Sequence, residues 1–240
     1  MIFNAKPASE SAKNGKVPVV RFVVASRESK ERFFERTALG KCLRNFPIEI
    51  RLFEKNTKGL PARYNEAIEE ARTNPAVLVF IHDDVFLHGF FFADEIIAAL
   101  TRFDVVGIVG SKRRVPQQPS WAFLSVDGTR DEPENYSGIY GFGKGADLIA
   151  LNSFGPPCQE VKLLDGFMIA AHSTTLIDKG VAFDERFDFH LYDVDFCRQA
   201  EEKGLTMGTW NISAIHEGNN PQGTPDWITA YEKYLDKWRS

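Results

Sequence analysis

Ala76-Val77-Leu78-Val79-Phe80-Ile81-His82-Asp83-Asp84-Val85 is the stretch from which the rest of the chain can be read. A continuous apolar run beginning after Pro75 predicts a strand buried on both faces, as in the middle of a parallel sheet. It stops at a histidine and two adjacent carboxylates. In open α/β sheets ligands gather beyond the carboxyl ends of the strands, so these polar side chains stand where chemistry would be done. Magnesium commonly takes one or two carboxylates together with substrate phosphates. Asp also terminates strands and starts turns for local reasons, and this stretch alone does not separate the two.

On the amino-terminal side, Ile48 to Phe53 predicts a strand, followed by a helix over Gly59 to Arg72 with Pro61 near its start and Tyr64, Ile68 and Ala71 on one face. Further back, Val17 to Ala25 is a first strand, and a segment with helical spacing runs through Phe33, Phe34, Leu39 and Leu43. On the other side come a helix over Ala93 to Phe103 and a buried strand over Val105 to Val109. The order βαβαβαβ predicts a mostly parallel sheet with helices on its faces. No glycine-rich phosphate fingerprint of the dinucleotide or P-loop type follows the first strand, which argues against dehydrogenase and ATPase chemistry.

Composition sets the outer bounds. A chain of 240 residues with 43% hydrophobic and 26% charged residues builds a substantial core in one or two domains. A net charge of -4 argues against non-specific nucleic-acid binding. Cys42, Cys158 and Cys197 are widely spaced and predict reduced thiols in a cytoplasmic protein. No apolar run reaches the roughly 20 residues needed to cross a bilayer, which leaves peripheral membrane contact open. Met1 to Lys16 reads as a polar leader.

From Ser111 to Lys162 the chain turns rich in Gly, Pro, Asn and aromatics, the composition of a functional excursion. Short strands are expected in it at Asp147 to Leu151 and Val161 to Leu164. Lys112, Arg113 and Arg114 could meet phosphate or form a solvated charge run. Trp121, Tyr136, Tyr140 and Phe142 could stack on sugar rings or pack inward. Leu163 to Ala171 reads as a turn into a strand, Asp193 to Lys203 as a helix stopped by Gly204, Leu205 to Ile215 as a last strand, and Pro225 to Trp238 as a closing helix.

FDERFDFHLYDVDFCRQAEEKG, residues 183–204, together with the Asp pair and a histidine after the last strand, resembles the family 2 glycosyltransferases of the GT-A fold, over about Val17 to Gly218. The family pattern is FDE, an aromatic stretch, an acidic pair, then D-[LF]-C-x-R and a glycine. The resemblance implies a Rossmann-type three-layer α/β sandwich, with 17–240 one domain made of a nucleotide-binding half (17–110) and an acceptor-side half (111–240). It implies transfer of a sugar from a nucleotide-sugar, a UDP-sugar first, to a glycan or lipid-linked acceptor. Inversion and dependence on Mn2+ or Mg2+ are implied with it.

Residue by residue, the family's D-x-D element falls on His82, Asp83 and Asp84. Asp84 becomes the main metal ligand, with His82 in place of the first acid. The acidic pair falls on Tyr192 and Asp193, leaving Asp193 as general base and replacing the usual Glu by Tyr192. His216 matches a late metal or diphosphate contact. Asp165 and Gly166 match the turn before the acceptor pocket, beside Tyr192. Ser26, Arg27, Glu54, Arg63, Asn65 and Asp83 take donor-side positions. Each also has a plainer reading: Asp favours helix starts, a single His is often structural, and the donor positions could be ordinary surface. The two replacements keep open a second function, a GT-A-like module that binds glycan or nucleotide without turnover.

Overall fold

The computed structural model describes residues 18–218 and 221–239, so the polar leader lies outside the described residues. The strands, in chain order, are β1 (Val20–Ala25), β2 (Glu49–Phe53), β3 (Val77–Ile81), β4 (Val85–Leu87), β5 (Val105–Gly107), β6 (Val109–Ser111), β7 (Tyr136–Lys144), β8 (Asp147–Gly155), β9 (Glu160–Val161), β10 (Leu163–Leu164), β11 (Met168–His172), β12 (Met207–Thr209) and β13 (Ala214–His216). The helices are α1 (Lys30–Arg36), α2 (Ala38–Leu43), α3 (Leu60–Glu70), α4 (Phe92–Leu100), α5 (Ser173–Lys179), α6 (Tyr192–Glu202) and α7 (Pro225–Lys237).

The larger sheet has the order β2-β1-β3-β11-β5-β12-β9. β1 runs parallel to β2 and β3, and β12 parallel to β5. β11 enters between β3 and β5 antiparallel to both, and β9 closes the far edge antiparallel to β12. The sheet is therefore mixed, with most strands pointing one way. β11 could not be placed beside β3 from local pattern, because it lies some ninety residues later in the chain. Every residue of β3 is fully buried, as its unbroken apolar run requires.

A second sheet, β10-β6-β7-β13-β4 with β8 on β7, is assembled by chain segments that leave the first. The predicted strand Val105 to Val109 divides at Ile108 into β5 and β6, one in each sheet, and Leu205 to Ile215 divides into β12 and β13. The excursion holds a nine-residue hairpin strand, β7, that the sequence reading did not single out. Its glycines explain both facts: at Gly138, φ is +104° and a Cβ would stand 2.1 Å from the Ile108 carbonyl oxygen. The sheets can meet there only with no side chain in the way.

Between β1 and β2 the predicted helical segment breaks at Thr37, whose hydroxyl donates to Phe33 O at 2.8 Å and accepts from Gly40 N at 3.0 Å. One residue thus ends α1 and caps α2. In α3, Tyr64, Ala67 and Ile68 turn the buried face to the sheet. In α6, Val194, Phe196, Cys197 and Ala200 do the same, and Gly204 follows it at φ +74°, as expected for a glycine after a helix.

Candidate active site

The polar ends of β3 and β13 meet because the chain turns back immediately after β3. Val85, the first residue of β4, pairs with His216 of β13. That register brings Asp84 beside His216, whose Nε2 lies 3.4 Å from Asp84 Oδ1. His82, Asp84 and His216 each offer one donor atom to a common point, all within 4.8 Å of one another. Asp84 Oδ1 is buried and accepts no hydrogen bond among the described residues. A buried carboxylate oxygen whose polar neighbour is an imidazole at the long distance of 3.4 Å is poorly satisfied, and an ion would satisfy it. Two ligands each about 2.1 Å from one ion stand roughly 3.0–3.4 Å apart, so the Asp84–His216 spacing fits a shared cation. The residues therefore suit the divalent metal that the family resemblance implied.

Electrostatics within this cluster are divided. Burial, and then the neighbouring His216, pull the His82 imidazole down to about 4. Burial also works against the charged form of His216, but the contact and charge of Asp84 hold it above its ordinary value. Asp84 ends below the usual carboxylate range because His216 outweighs its burial. Asp83 turns the other way: it accepts the Ser26 hydroxyl at 2.5 Å, and burial plus the adjacent Asp84 raise its carboxyl. Asp83 thus ties the end of β1 to the end of β3.

Asp193 stands on the first turn of α6, facing the turn before β11. Leu191, which caps this helix, has φ +59°, an uncommon conformation for a residue bearing a Cβ and a sign of strain at a presented turn. Asp193 Oδ2 accepts Gly166 N at 3.1 Å. Burial, then repulsion from Asp165, raise the Asp193 carboxyl to about 7, against the pull of nearby backbone N–H groups. Asp165 is itself fixed, accepting Trp121 Nε1 at 2.5 Å and Phe167 N at 3.0 Å. Gly166 lies under the helix so closely that a Cβ would stand 2.5 Å from the Tyr192 hydroxyl and 2.9 Å from Asp193 Cβ. The glycine is required by close approach, a stronger condition than a turn.

A profile of the glycosyltransferase-like family matches residues 45–236. The chain belongs to that family. Solved structures agree in fold with this glycosyltransferase-like protein. GalNAc-T7 with UDP, GalNAc and Mn2+ superposes at a TM-score of 0.52 and 8% identity, over 92% of this chain and 48% of its own. A197 from STIV gives 0.50 and 16%, over 84% and 86%. The mannosyltransferase PcManGT from Pyrobaculum calidifontis, in complex with GDP-Man and Mn2+, gives 0.50 and 11%, over 92% and 64%. The chain thus spans less than two thirds of GalNAc-T7 and of PcManGT. Identities this low establish the GT-A fold and leave residue roles to the local chemistry. No curated protein matches the sequence.

The remaining residues singled out in this glycosyltransferase-like chain fall into distinct settings. Arg27 and Glu54 are exposed beyond β1 and β2, with Glu54 accepting Lys30 N at 2.9 Å. Arg63 pairs with Glu66 at 2.9 Å and lies over the Phe53 ring. The Asn65 amide exchanges two hydrogen bonds with the Phe183 backbone, 2.8 and 2.9 Å long, and so holds the segment that leads to α6. Lys112 donates to the Glu134 carbonyl, and Arg113 and Arg114 form ion pairs with Asp131 and Glu201. Trp121 and Tyr136 are buried, whereas Phe142 is 37% exposed and in register with His216. Phe189 escaped the sequence reading. It is 51% exposed and stacks on His82, centroids 5.5 Å apart. The aromatic residues between FDE and the acidic helix start were the available signal for it.

No described helix is long and apolar enough to cross a membrane.

Proposed function

We propose that the protein transfers a sugar from a nucleotide-activated donor to an acceptor hydroxyl with inversion. The supporting observation is the meeting, at one end of the larger sheet, of a three-donor cation cluster and a half-buried carboxyl raised to about 7. Asp193 is the general base. Near neutral pH a large fraction of such a carboxyl is ionised and still basic enough to take the acceptor's proton, the condition a general base needs. The Gly166 N–H orients one of its oxygens and leaves the other for the acceptor hydroxyl. With one base and no enzyme nucleophile assigned, the hydroxyl displaces the nucleoside diphosphate directly, from the opposite face of the anomeric carbon.

His82, Asp84 and His216 are the residues that would hold the metal. Bound there, a divalent cation would act as a Lewis acid, neutralising charge on the departing diphosphate. Two imidazoles and one carboxylate shift the choice away from Mg2+, which favours oxygen ligands, and toward first-row transition ions; Mn2+ is our assignment. Ser26, Arg27, Glu54, Arg63, Asn65 and Asp83 form the donor side, with a UDP-sugar the first donor to test. Asp165, Gly166 and Tyr192 back the acceptor side, and Phe142 and Phe189 supply exposed aromatic surface for a glycan or lipid-linked acceptor. Cytoplasmic action completes the reading.

Calorimetry of UDP binding tests it. Affinity should rise with Mn2+, far less with Mg2+, and Asp84→Ala should erase the Mn2+ increment while the melting temperature persists. Unchanged Mn2+-dependent affinity in that variant would remove the metal site. Release of UDP from UDP-sugars in the presence of Mn2+ separates a transferase from a module that only binds.

A further inference from the structure

The two residues that depart from the family pattern, His82 and Tyr192, lie 110 positions apart in sequence and touch: His82 Nε2 is 2.8 Å from the Tyr192 hydroxyl. The same hydroxyl donates to Gly166 O at 2.7 Å, a carbonyl that can only accept. A phenol has one proton to give. With that proton on Gly166 O, the contact with His82 requires an N–H on Nε2 pointing at the phenol oxygen. A neutral imidazole that carries its proton on Nε2 has its lone pair on Nδ1.

We propose that Tyr192 is a positioning residue that holds His82 as the Nε2–H tautomer and thereby presents Nδ1 as its metal-binding nitrogen. The inference rests on the metal reading above. Two contacts fix the ring. The Tyr192 hydroxyl holds its edge, and Phe189 lies against its face with planes 25° apart. Tyr192 is itself buried at 2% exposure and packed edge-on against Tyr64 with centroids 6.0 Å apart. Gly166 completes the arrangement, since its carbonyl takes the phenol proton and its missing Cβ leaves room for the hydroxyl. A His ligand whose other nitrogen is hydrogen-bonded has its tautomer and orientation set in advance, and such outer partners commonly contribute 10–100-fold to metal affinity.

Long-range 1H–15N spectra of metal-free protein labelled at histidine read the tautomer directly, with His82→Gln assigning the signal among the five histidines. The wild type should show His82 protonated on Nε2, and Tyr192→Phe, which keeps the packed ring, should lose that bias. Mn2+ affinity followed by electron paramagnetic resonance should fall about 10–100-fold in Tyr192→Phe. In a His82→Gln background the same change should cost nothing further, because the ring it orients is gone. Equal losses in both backgrounds would make Tyr192 merely structural and overturn the proposal, as would an unchanged affinity in Tyr192→Phe. A wild type that binds Mn2+ with His82 protonated on Nδ1 would sink this inference alone. A wild type that binds no Mn2+ would sink the metal reading together with it.

Discussion

Asp193 and Asp195 sit on the same turn of α6 and face opposite fates. Asp195 is fully buried and surrounded by donors: Trp238 Nε1 at 2.8 Å, Lys237 Nζ at 2.7 Å and Gln199 Nε2 at 2.6 Å. Burial raises its carboxyl, but Lys237 and the hydrogen bonds pull back. Asp193 is met only by backbone N–H groups, those of Gly166, Val194 and its own residue, has the negative Asp165 for a neighbour, and forms no ion pair with Lys or Arg among the described residues. A carboxylate engaged in fastening α7 to α6 is surrounded by donors and a cation. Asp193, the proposed base, has no cation beside it and a like charge instead, and its pKa moves toward neutrality.

Breaking this contrast should give the largest effect at Asp193. Asp193→Asn keeps the shape and the capacity to accept from Gly166 N but cannot take a proton at neutral pH. Turnover should fall by roughly 10²–10⁴-fold, with UDP affinity within a few-fold of wild type. Asp195→Asn should lower turnover far less. Interchanged effects in a steady-state assay would move the base by two residues.

Asp195→Ala sharpens the other side. It removes one partner of a buried ion pair and leaves the Trp238 and Gln199 donors without their acceptor, so unfolding free energy in urea should drop by about 3–5 kcal/mol. Lys237 keeps a partner in Asp184, 2.7 Å away, which places the expected loss toward the lower end. A stability close to wild type would mean that α7 is held without this pair.

Gly166→Ala addresses what brings Asp193 and Tyr192 into place. The added methyl meets the Tyr192 hydroxyl and the root of the Asp193 side chain, neither of which can swing away without moving α6. Overpacking of this kind costs about 1–3 kcal/mol, and turnover should fall along with the melting temperature. A variant with wild-type stability and activity would show that the helix start adjusts freely.

The sequence carried β3, its terminal polar residues, α3, α6 and α7, because each has a strong period or an unbroken apolar run. It did not carry β11's insertion into the parallel set, since strand neighbours are fixed by contacts between distant segments. β7 was hidden for a related reason: glycines in YSGIYGFGK weaken a strand by local propensity, yet Gly138 is what lets the two sheets meet. Motif order set Asp84 after a central strand, His216 at the end of a late strand and Asp193 at a helix start, which is where the fold has them. The His82–Tyr192 contact and the Trp121–Asp165 clamp were not, because each joins residues whose proximity only the fold creates.

The most gradual expected effect is a drift of stability with pH, and it tests the same carboxyl without any substrate. An aspartate ordinarily titrates near 3.9, whereas Asp193 in the fold is raised to about 7 by burial and then by Asp165. Between these values the folded protein holds a proton that the unfolded chain has released. Stability therefore falls as pH rises through this window. The contribution of protonated Asp193 is fully present below about pH 4 and lost once pH passes about 7. Asn at this position has no proton to lose, so Asp193→Asn should escape the decline. The stability of the variant relative to wild type should improve steadily from pH 4 to pH 7, by up to about 4 kcal/mol, roughly three pKa units at 1.36 kcal/mol each. Urea unfolding at a series of pH values measures this difference. Turnover should show the complementary limb, rising with pH through about 7 in the wild type as the base ionises. A stability difference that stays flat with pH would mean that Asp193 enters the fold already ionised. The contrast with Asp195 would then rest on position alone.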